Sequence, residues 1–257
     1  MKLKKYILSL ITIHIVILNV QSQDDISSLV DAELSSNATD YASGTFFTTR
    51  ILNAHSVQLM PKGGLDFRIH HRFDKISEGY NRFWGIDGSL SLLTLEYGFA
   101  KKFMAGIGRE NDAMYYAYAK YELAHQCSGQ KNFPITIVWL TSSGIDGFNY
   151  KNDPEKNKLF AQRFSYVNQL LIARMFSYKL SLQLSPTWIH RNMTQYKEMK
   201  NDLFAIGVGG RYKITNTFSI NFEYYKTIGN EDISERNISF FDPISLGIDI
   251  QVSGHVF

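Results

Sequence analysis

The chain has 257 residues, with 27 basic and 24 acidic side chains and a mean hydropathy slightly below zero. Its 15 Tyr, 18 Phe and 18 Gly, beside only 5 Pro, suit an aromatic-rich sheet protein and argue against a bundle of membrane helices. The single cysteine, Cys127, cannot form an internal disulfide, so stability must come from packing or from a bilayer.

Residues 1–22 have the layout of a cleaved export signal. Lys2, Lys4 and Lys5 precede an apolar run over 6–20, and the small Ser22 stands at a suitable cleavage point. The alternative is a lone membrane anchor, but the run is shorter than the ~20 residues that a spanning helix needs. Removing this segment takes away three lysines and no acids, which leaves 24 basic and 24 acidic residues. A neutral chain gives no electrostatic reason to expect a nucleic-acid partner.

Residues 23–44 are acidic and polar without a sustained period, which predicts a periplasmic tail or a short helix. Residues 45–60 are a candidate for one additional strand ahead of the main series. The domain organisation is therefore predicted as a signal peptide over 1–22, a tail over 23–44 and one all-β domain over 45–257.

A hydrophobic period of two dominates the rest of the chain. In the first such segment an apolar row alternates with a charged row: Leu65, Phe67 and Ile69 against Asp66, Arg68, His70 and Arg72. Similar alternation returns in 180–185, 204–213, 218–225 and 244–253. Only a strand sorts such residues onto opposite faces, and strands of ~10 residues cross a bilayer when tilted.

The pattern predicts about ten strands. They run over roughly 64–74, 86–99, 102–109, 113–124, 133–142, 160–177, 179–190, 202–214, 217–228 and 243–253. Short and long connections mostly alternate, which is typical of an up-and-down antiparallel transmembrane β-barrel with short periplasmic turns and long external loops. Aromatic residues near strand ends would form interfacial girdles: Phe83, Trp84, Tyr97, Phe99, Trp139 and Trp188. The alternative fold is a soluble exported β-sandwich that binds a ligand, which the shorter segments 102–109 and 133–142 favour.

A set of short stretches occurs in a fixed order: Thr49-Arg50, Asn53, Gly64-Leu65-Asp66-Phe67, His71-Arg72-Phe73, Phe83, Gly85-Ile86-Asp87, Tyr97-Gly98-Phe99, Gly106-Ile107-Gly108-Arg109, Lys120-Tyr121, Pro134, Gly247-Ile248-Asp249-Ile250 and Gly254-His255-Val256-Phe257. As an ordered set they make the chain similar to a Bacteroidota outer-membrane β-barrel family catalogued as a domain of unknown function (five-seven-seven-seven). The resemblance covers roughly 45–257. It implies an exported barrel and carries over no established activity.

The end of the sequence departs from the family pattern, which continues with another hairpin where this chain stops. Phe257 does not replace that hairpin, because the apolar row of the last strand occupies even positions from Ile244 to Val252 and Phe257 is odd. We therefore expect a complete form with about twelve strands, an even number as in bacterial barrels.

Charged residues on one side of the predicted strands are the main candidates for a functional feature. The predicted lumen-facing residues are Asp66, Arg68, His70, Arg72, Arg211, Glu223 and Asp249. They would form either a polar network that fills a narrow barrel, the interpretation we favour, or a constriction that selects solutes. No metal is predicted, because His70 and His71 point to opposite faces. No cofactor is predicted either, since the glycines of 106–109 lack the Lys-Ser/Thr of a phosphate loop.

The leading functional hypothesis is a non-enzymatic outer-membrane barrel that serves as a narrow, porin-like pore or as a docking platform. Its predicted partners are outer-membrane lipid and a periplasmic or cell-surface protein. The alternative is a barrel hydrolase assembled from predicted loop residues: Ser142, Ser143, Asp146, His190 and Asp202. Nothing in the sequence fixes their geometry and no Gly-x-Ser-x-Gly elbow occurs, so no enzyme is predicted.

Overall fold

A computed structural model describes residues 38–73, 79–85, 88–110, 114–147, 160–194, 199–228 and 242–250. The predicted signal peptide and most of the predicted tail lie outside these residues, as do the Gly-His-Val-Phe end and the question of a further hairpin. The chain divides into two compact units, one over 1–41 and 127–134 and the other over 42–126 and 135–257. In the described ranges, no helix is long and apolar enough to cross a membrane.

The smaller unit contains a two-stranded antiparallel sheet. Strand β1 (Thr39–Tyr41) pairs with β6 (Cys127–Gly129), so this part of the predicted tail is a strand rather than a helix. Cys127 lies on β6 as a buried free thiol. Its backbone N–H donates to the carbonyl of Phe133 at 2.9 Å, and the Phe133 N–H donates back at 3.0 Å.

The larger unit is built on a ten-stranded antiparallel sheet in which strands adjacent in sequence are neighbours. Its strands are β2 (Leu65–Phe73), β3 (Ser89–Ala100), β4 (Phe103–Glu110), β5 (Met114–Ala124), β7 (Thr136–Asp146), β8 (Phe164–Met175), β9 (Leu180–Arg191), β10 (Asp202–Lys213), β11 (Phe218–Ile228) and β12 (Ile244–Ile250). Two short 3-10 helices, Tyr80–Gly85 and Phe160–Arg163, lie in long connections. Within the described residues, the edge strands β2 and β12 each pair with one neighbour, so the sheet is not closed there.

The two faces of this sheet differ sharply in chemistry. The outer face carries exposed apolar side chains: Leu65, Phe67 and Ile69 on β2 are 64, 61 and 52 % exposed, and the even positions of β12 are 58 to 77 % exposed. The inner face is covered by residues 42–64 and buries polar and charged side chains such as Glu96, Lys120 and Glu223. Because strand side chains alternate between faces, the period of two in the sequence produces this division.

The sequence prediction of ten antiparallel strands is confirmed, with differences at some ends. Strand β7 continues to Asp146, four residues beyond its predicted end. The candidate strand over 45–60 is wrong: this segment is bent and enters only one isolated bridge, between Arg50 and His55. The β-sandwich alternative is also wrong, because no second sheet stacks on the inner face within the described part of this unit.

Aromatic side chains gather at both ends of the outer face. Tyr97, Phe99 and Phe103 form a row of ring contacts, with centroids 4.8 and 5.8 Å apart, beside the short β3–β4 turn. At the opposite end Trp188 and Tyr166 flank the ring of His190, at 6.0 and 6.4 Å. Two belts of this kind match the positions that aromatic residues take at membrane interfaces. The side chain of Trp84 lies outside the described residues.

Candidate functional site: a segment held inside the sheet

Residues 42–64, here called the inner segment, lie against the inner face of the sheet. Phe46, Ile51 and Val57 of this segment are only 2, 5 and 2 % exposed. They pack in one apolar cluster with residues from four strands: Met104, Tyr118, Val138, Leu140, Leu171 and Ala173. The inner segment is therefore part of the folded core of this unit, although it has almost no regular secondary structure.

A buried lysine on β5 binds the backbone of the inner segment. Lys120 is 0 % exposed, and its Nζ donates to the carbonyl oxygens of Thr49 at 2.7 Å, Ser56 at 3.0 Å and Gln58 at 3.0 Å. An ammonium group has three donors, so these three carbonyls satisfy it fully. Such complete pairing offsets much of the cost of removing the charge from water.

A buried carboxylate on β11 binds the same segment through its amides. The two oxygens of Glu223 accept the backbone N–H groups of Leu52, Asn53 and Ala54 at 2.7, 3.1 and 2.9 Å. Three successive amides around one carboxylate form an anion-binding concavity of the kind known as a nest. Leu52 and Glu223 are 171 residues apart in sequence, so this contact ties the start of the domain to its far end.

Two further side chains of the sheet hold the segment on either side of these anchors. Gln183 on β9 accepts the N–H of Val57 at 2.9 Å and donates to the carbonyl of His55 at 2.8 Å. Arg211 on β10 is 1 % exposed; it donates to the carbonyl of Gly44, and its guanidinium lies 4.6 Å from the ring centroid of Phe47. The hydrogen bonds of both Gln183 and Arg211 are to the segment's main chain.

An acidic group on β3 completes the polar network. Glu96 is fully buried; it accepts the hydroxyl of Thr49 at 2.6 Å and also the hydroxyl of Tyr118. Arg68 of β2 donates to the Thr49 hydroxyl at 3.4 Å and forms an ion pair with Asp66 at 2.5 Å. Charges of both signs thus surround one threonine of the inner segment, and they neutralise one another.

Two glycines of the sheet make room for the inner segment. A Cβ atom on Gly209 would lie 2.6 Å from Cδ1 of Ile51, and one on Gly247 would lie 2.2 Å from Cδ2 of Leu52. Both distances are far below van der Waals contact, so a side chain at either position would force the side chain of Ile51 or Leu52 to move. Glycine in a strand often permits a close neighbour, and for Gly209 on β10 that neighbour is the inner segment.

The structure places three of the predicted lumen-facing residues in direct contact with the inner segment. Arg68, Arg211 and Glu223 bind it directly. Asp66, His70 and Asp249 are half-buried; Asp66 pairs with Arg68, and Asp249 lies 3.5 Å from the hydroxyl of Ser219. The Arg72 backbone pairs with Leu90, while its side chain lies outside the described residues.

Glu96, Lys120 and Gln183 are not among the residues predicted from the sequence. Each of them is a long polar side chain that follows or lies between less polar ones in an inward row: Glu96 after Leu92 and Thr94, Lys120 after Tyr116 and Tyr118, and Gln183 between Ser181 and Ser185. A long polar side chain in such a row is the signal that could have identified them, because a buried polar group requires a partner.

Two cavities border the inner segment. One of about 510 Å³ is lined by residues of the segment and of the later strands: Asn53, Ala54, His55, Gln169, Glu223, Tyr225, Pro243 and Ser245. The other, about 380 Å³, lies between the segment and β2, beside Gln58, Met60 and Arg68. His55 lies on the segment, outside the strands; burial, reinforced by Arg50, Lys120, Arg68 and His70, lowers its pKa well below 6.5.

The residues of the hydrolase alternative lie in strands rather than loops. His190 and Asp202 contact one another, with Nδ1 and Oδ1 2.9 Å apart, and the indole of Trp188 also donates to Asp202 at 2.9 Å. Ser143 pairs with Tyr166 on β8, and Tyr166 pairs with His190 on β9. Ser143 and His190 are thus two strand spacings apart, ~9.6 Å, which is too far for a nucleophile and its base.

Across the described residues, no three His, Cys, Asp or Glu side chains are grouped as metal ligands.

The architecture is that of an up-and-down antiparallel β-barrel whose apolar outer face suits a membrane and whose polar inner face holds a segment of its own chain. The sequence belongs to the family described as a membrane bound beta barrel domain (DUF5777), which it matches over residues 46–257. Neither the curated proteins nor the solved structures contain a match to it. The expected family is confirmed, and with it the barrel fold.

Proposed function

We propose that this chain is a non-enzymatic outer-membrane β-barrel that serves as a narrow pore, and that the inner segment keeps the pore closed. The observation that carries the proposal is the way the segment is held. It is buried and irregular, and it is bound by polar side chains of the wall through its own backbone, as with Lys120 and Glu223. Backbone contacts of this kind fix position without requiring a continuous apolar core.

The wall is apolar on β4, β5, β7 and β8, where it packs against Phe46, Ile51 and Val57, but its polar chemistry on β9, β10 and β11 supports a pore rather than a permanently filled barrel. Around the inner segment, β9, β10 and β11 present Ser181, Gln183, Arg211, Asn221 and Glu223. Water would solvate all of these groups if the segment withdrew, whereas an apolar wall would be left without a partner. The two cavities beside the segment, of about 510 and 380 Å³, are of the volume that small solutes occupy.

Conductance in planar bilayers tests the proposal. We expect the native chain to be closed for most of the time, and the double variant Glu223→Ala/Gln183→Ala to show frequent discrete openings, because it loses five contacts with residues 52–57. Asp249→Asn is the matched control, since that carboxylate faces inward without binding the segment. Silence of the folded double variant, with heat-modifiable migration intact, would reject the pore and leave the docking platform.

The location and the partners expected from the sequence are part of the same proposal. Export to the outer membrane, with lipid and a periplasmic or cell-surface protein as partners, agrees with the exposed apolar outer face. A catalytic role is not proposed, because Ser143 and His190 are separated by a whole strand. No nucleic-acid partner or cofactor is proposed either.

A further inference from the structure

The outer face of the sheet carries a recess of about 600 Å³ that the pore proposal does not use. Its floor is formed where two small side chains, Ala117 on β5 and Ser143 on β7, pair with each other across the sheet. Their row continues to the much larger Ile107 on β4 and Tyr166 on β8. Small residues between large ones leave a hollow in a surface that would otherwise be even.

The next row toward the long connections forms the upper rim of this recess. It crosses the sheet through paired residues: Leu93, Arg109, Tyr115, Ile145 and Phe164. Four of these side chains are apolar or aromatic, and all five line the recess. The volume lies within the roughly 300–1,000 Å³ of small-ligand sites, and an apolar lining fits hydrocarbon.

Arg109 is the exception in this row. Its side chain is exposed on the outer face, one residue before the end of β4, and its guanidinium lies 5.6 Å from the ring centroid of Tyr115. Lys226, a second cation that faces outward at this end of the described strands, is already bound to Asp242 at 2.7 Å. A guanidinium held on an aromatic ring at the depth of the headgroups is suited to bidentate binding of phosphate.

We propose that this recess binds one phosphorylated glycolipid of the lipid A type, with an acyl chain on Ala117 and Ser143 and a phosphate on Arg109. The inference rests on the proposed outer-membrane location, because the long connections of such barrels face outward and the recess lies at that end. Charge complementarity selects this occupant, because a phosphate monoester presents more negative charge to the guanidinium than a zwitterionic or neutral lipid does. The site does not depend on whether the inner segment closes a pore.

Native mass spectrometry of the full chain in a neutral detergent tests the site, with diphosphoryl lipid A as the probe. We expect Arg109→Ala to weaken retention by roughly ten-fold, the effect of losing one charge-assisted phosphate contact. Ala117→Phe should weaken it as well, because the ring fills the acyl recess and leaves Arg109 in place. Lys226→Gln and Val208→Phe are the matched controls for charge and for bulk on other strands, and both should retain the lipid as the native chain does.

Several results would overturn the proposal. Equal retention by Arg109→Ala and the native chain would remove the phosphate contact, and an equal loss in Lys226→Gln would reduce the binding to unspecific surface charge. Equal retention of lipid A without phosphates, or of phosphatidylethanolamine, would mean that the recess holds any acyl chain. A second copy of the chain bound in place of lipid would identify the recess as a dimer contact instead. Conductance is not used here, so failure of this test is distinct from failure of the pore.

Discussion

Lys120 and Glu223 bind the same short loop through opposite polarities of its backbone. The lysine takes the carbonyls of Thr49, Ser56 and Gln58, and the glutamate takes the three amides from Leu52 to Ala54. The loop between residues 49 and 58 is thereby held at its base by a cation and at its tip by an anion. Irregular backbone buried in a barrel has no neighbouring strand to hydrogen-bond its N–H and C=O groups. These two side chains supply some of those hydrogen bonds instead.

Replacing Lys120 by Met should destabilise the barrel strongly. Three buried carbonyls lose their donor at once, and we expect a loss of about 3 kcal/mol in the free energy of unfolding. Lys102→Met is the matched control, because Lys102 is half-exposed and its ion pair with Glu122 is 3.8 Å long. Urea unfolding in micelles measures both changes. A Lys120→Met barrel as stable as the control would contradict the role assigned to the ammonium group.

Replacing Gly247 by Val should push the inner segment away from the sheet. The new Cβ would meet Leu52, and overpacking of this kind costs typically 1–3 kcal/mol. The double variant Gly247→Val/Leu52→Ala should recover most of that loss, since it removes the clashing atoms. A double-mutant cycle of unfolding free energies measures the coupling. If the two effects simply add, Leu52 is not the neighbour that limits position 247.

Acidification should favour release of the inner segment through His55. Burial holds the pKa of His55 well below 6.5 in the packed state, so the released segment binds a proton more readily. The stabilisation by neutral His55 is complete above pH 6.5 and is lost progressively as the pH falls below that value. Glu223, which lines the same cavity, is bound by amides, and the cations around the ring are Arg50, Arg68 and Lys120.

The measurement is tryptic cleavage at Arg50 between pH 8 and pH 5.5, corrected for the pH dependence of trypsin on a peptide. Arg50 is 8 % exposed, so cleavage there reports release. His55→Gln should flatten the pH dependence, whereas His71→Gln on the outer face should preserve it. His125 should oppose release on acidification. Its hydrogen bond with Glu122 raises its pKa, and protonation strengthens its hydrogen bond to the carbonyl of Ala42. A steeper profile in His55→Gln would reverse our assignment.

Different physical signals explain why the sheet could be predicted from the sequence and the inner segment could not. The strands follow from a local hydrophobic period of two, which is visible within each stretch of about ten residues without reference to the rest of the chain. The inner segment has no period, and its position depends on side chains 71 and 171 residues away, as for Lys120 with Thr49 and Glu223 with Leu52. Such contacts join backbone groups to single polar residues, which leaves no pattern in either stretch. Arg211 and Glu223 could be assigned to the inner face, but their partners could not.

Replacing Val208 by Arg tests the membrane assignment of the outer face directly. Val208 is near the middle of β10 and 38 % exposed, between the outward side chains of Ile206 and Tyr212. A cation at the bilayer midplane costs about 2–4 kcal/mol, while the same cation near an interface costs about 0–1 kcal/mol. Thr217→Arg in the short turn after β10 is the matched control and should be nearly neutral. Refolding into vesicles across a urea series gives both values. An Arg at 208 that costs no more than one at 217 would mean that water, rather than lipid, covers this face, because only hydrocarbon makes the cost depend on depth.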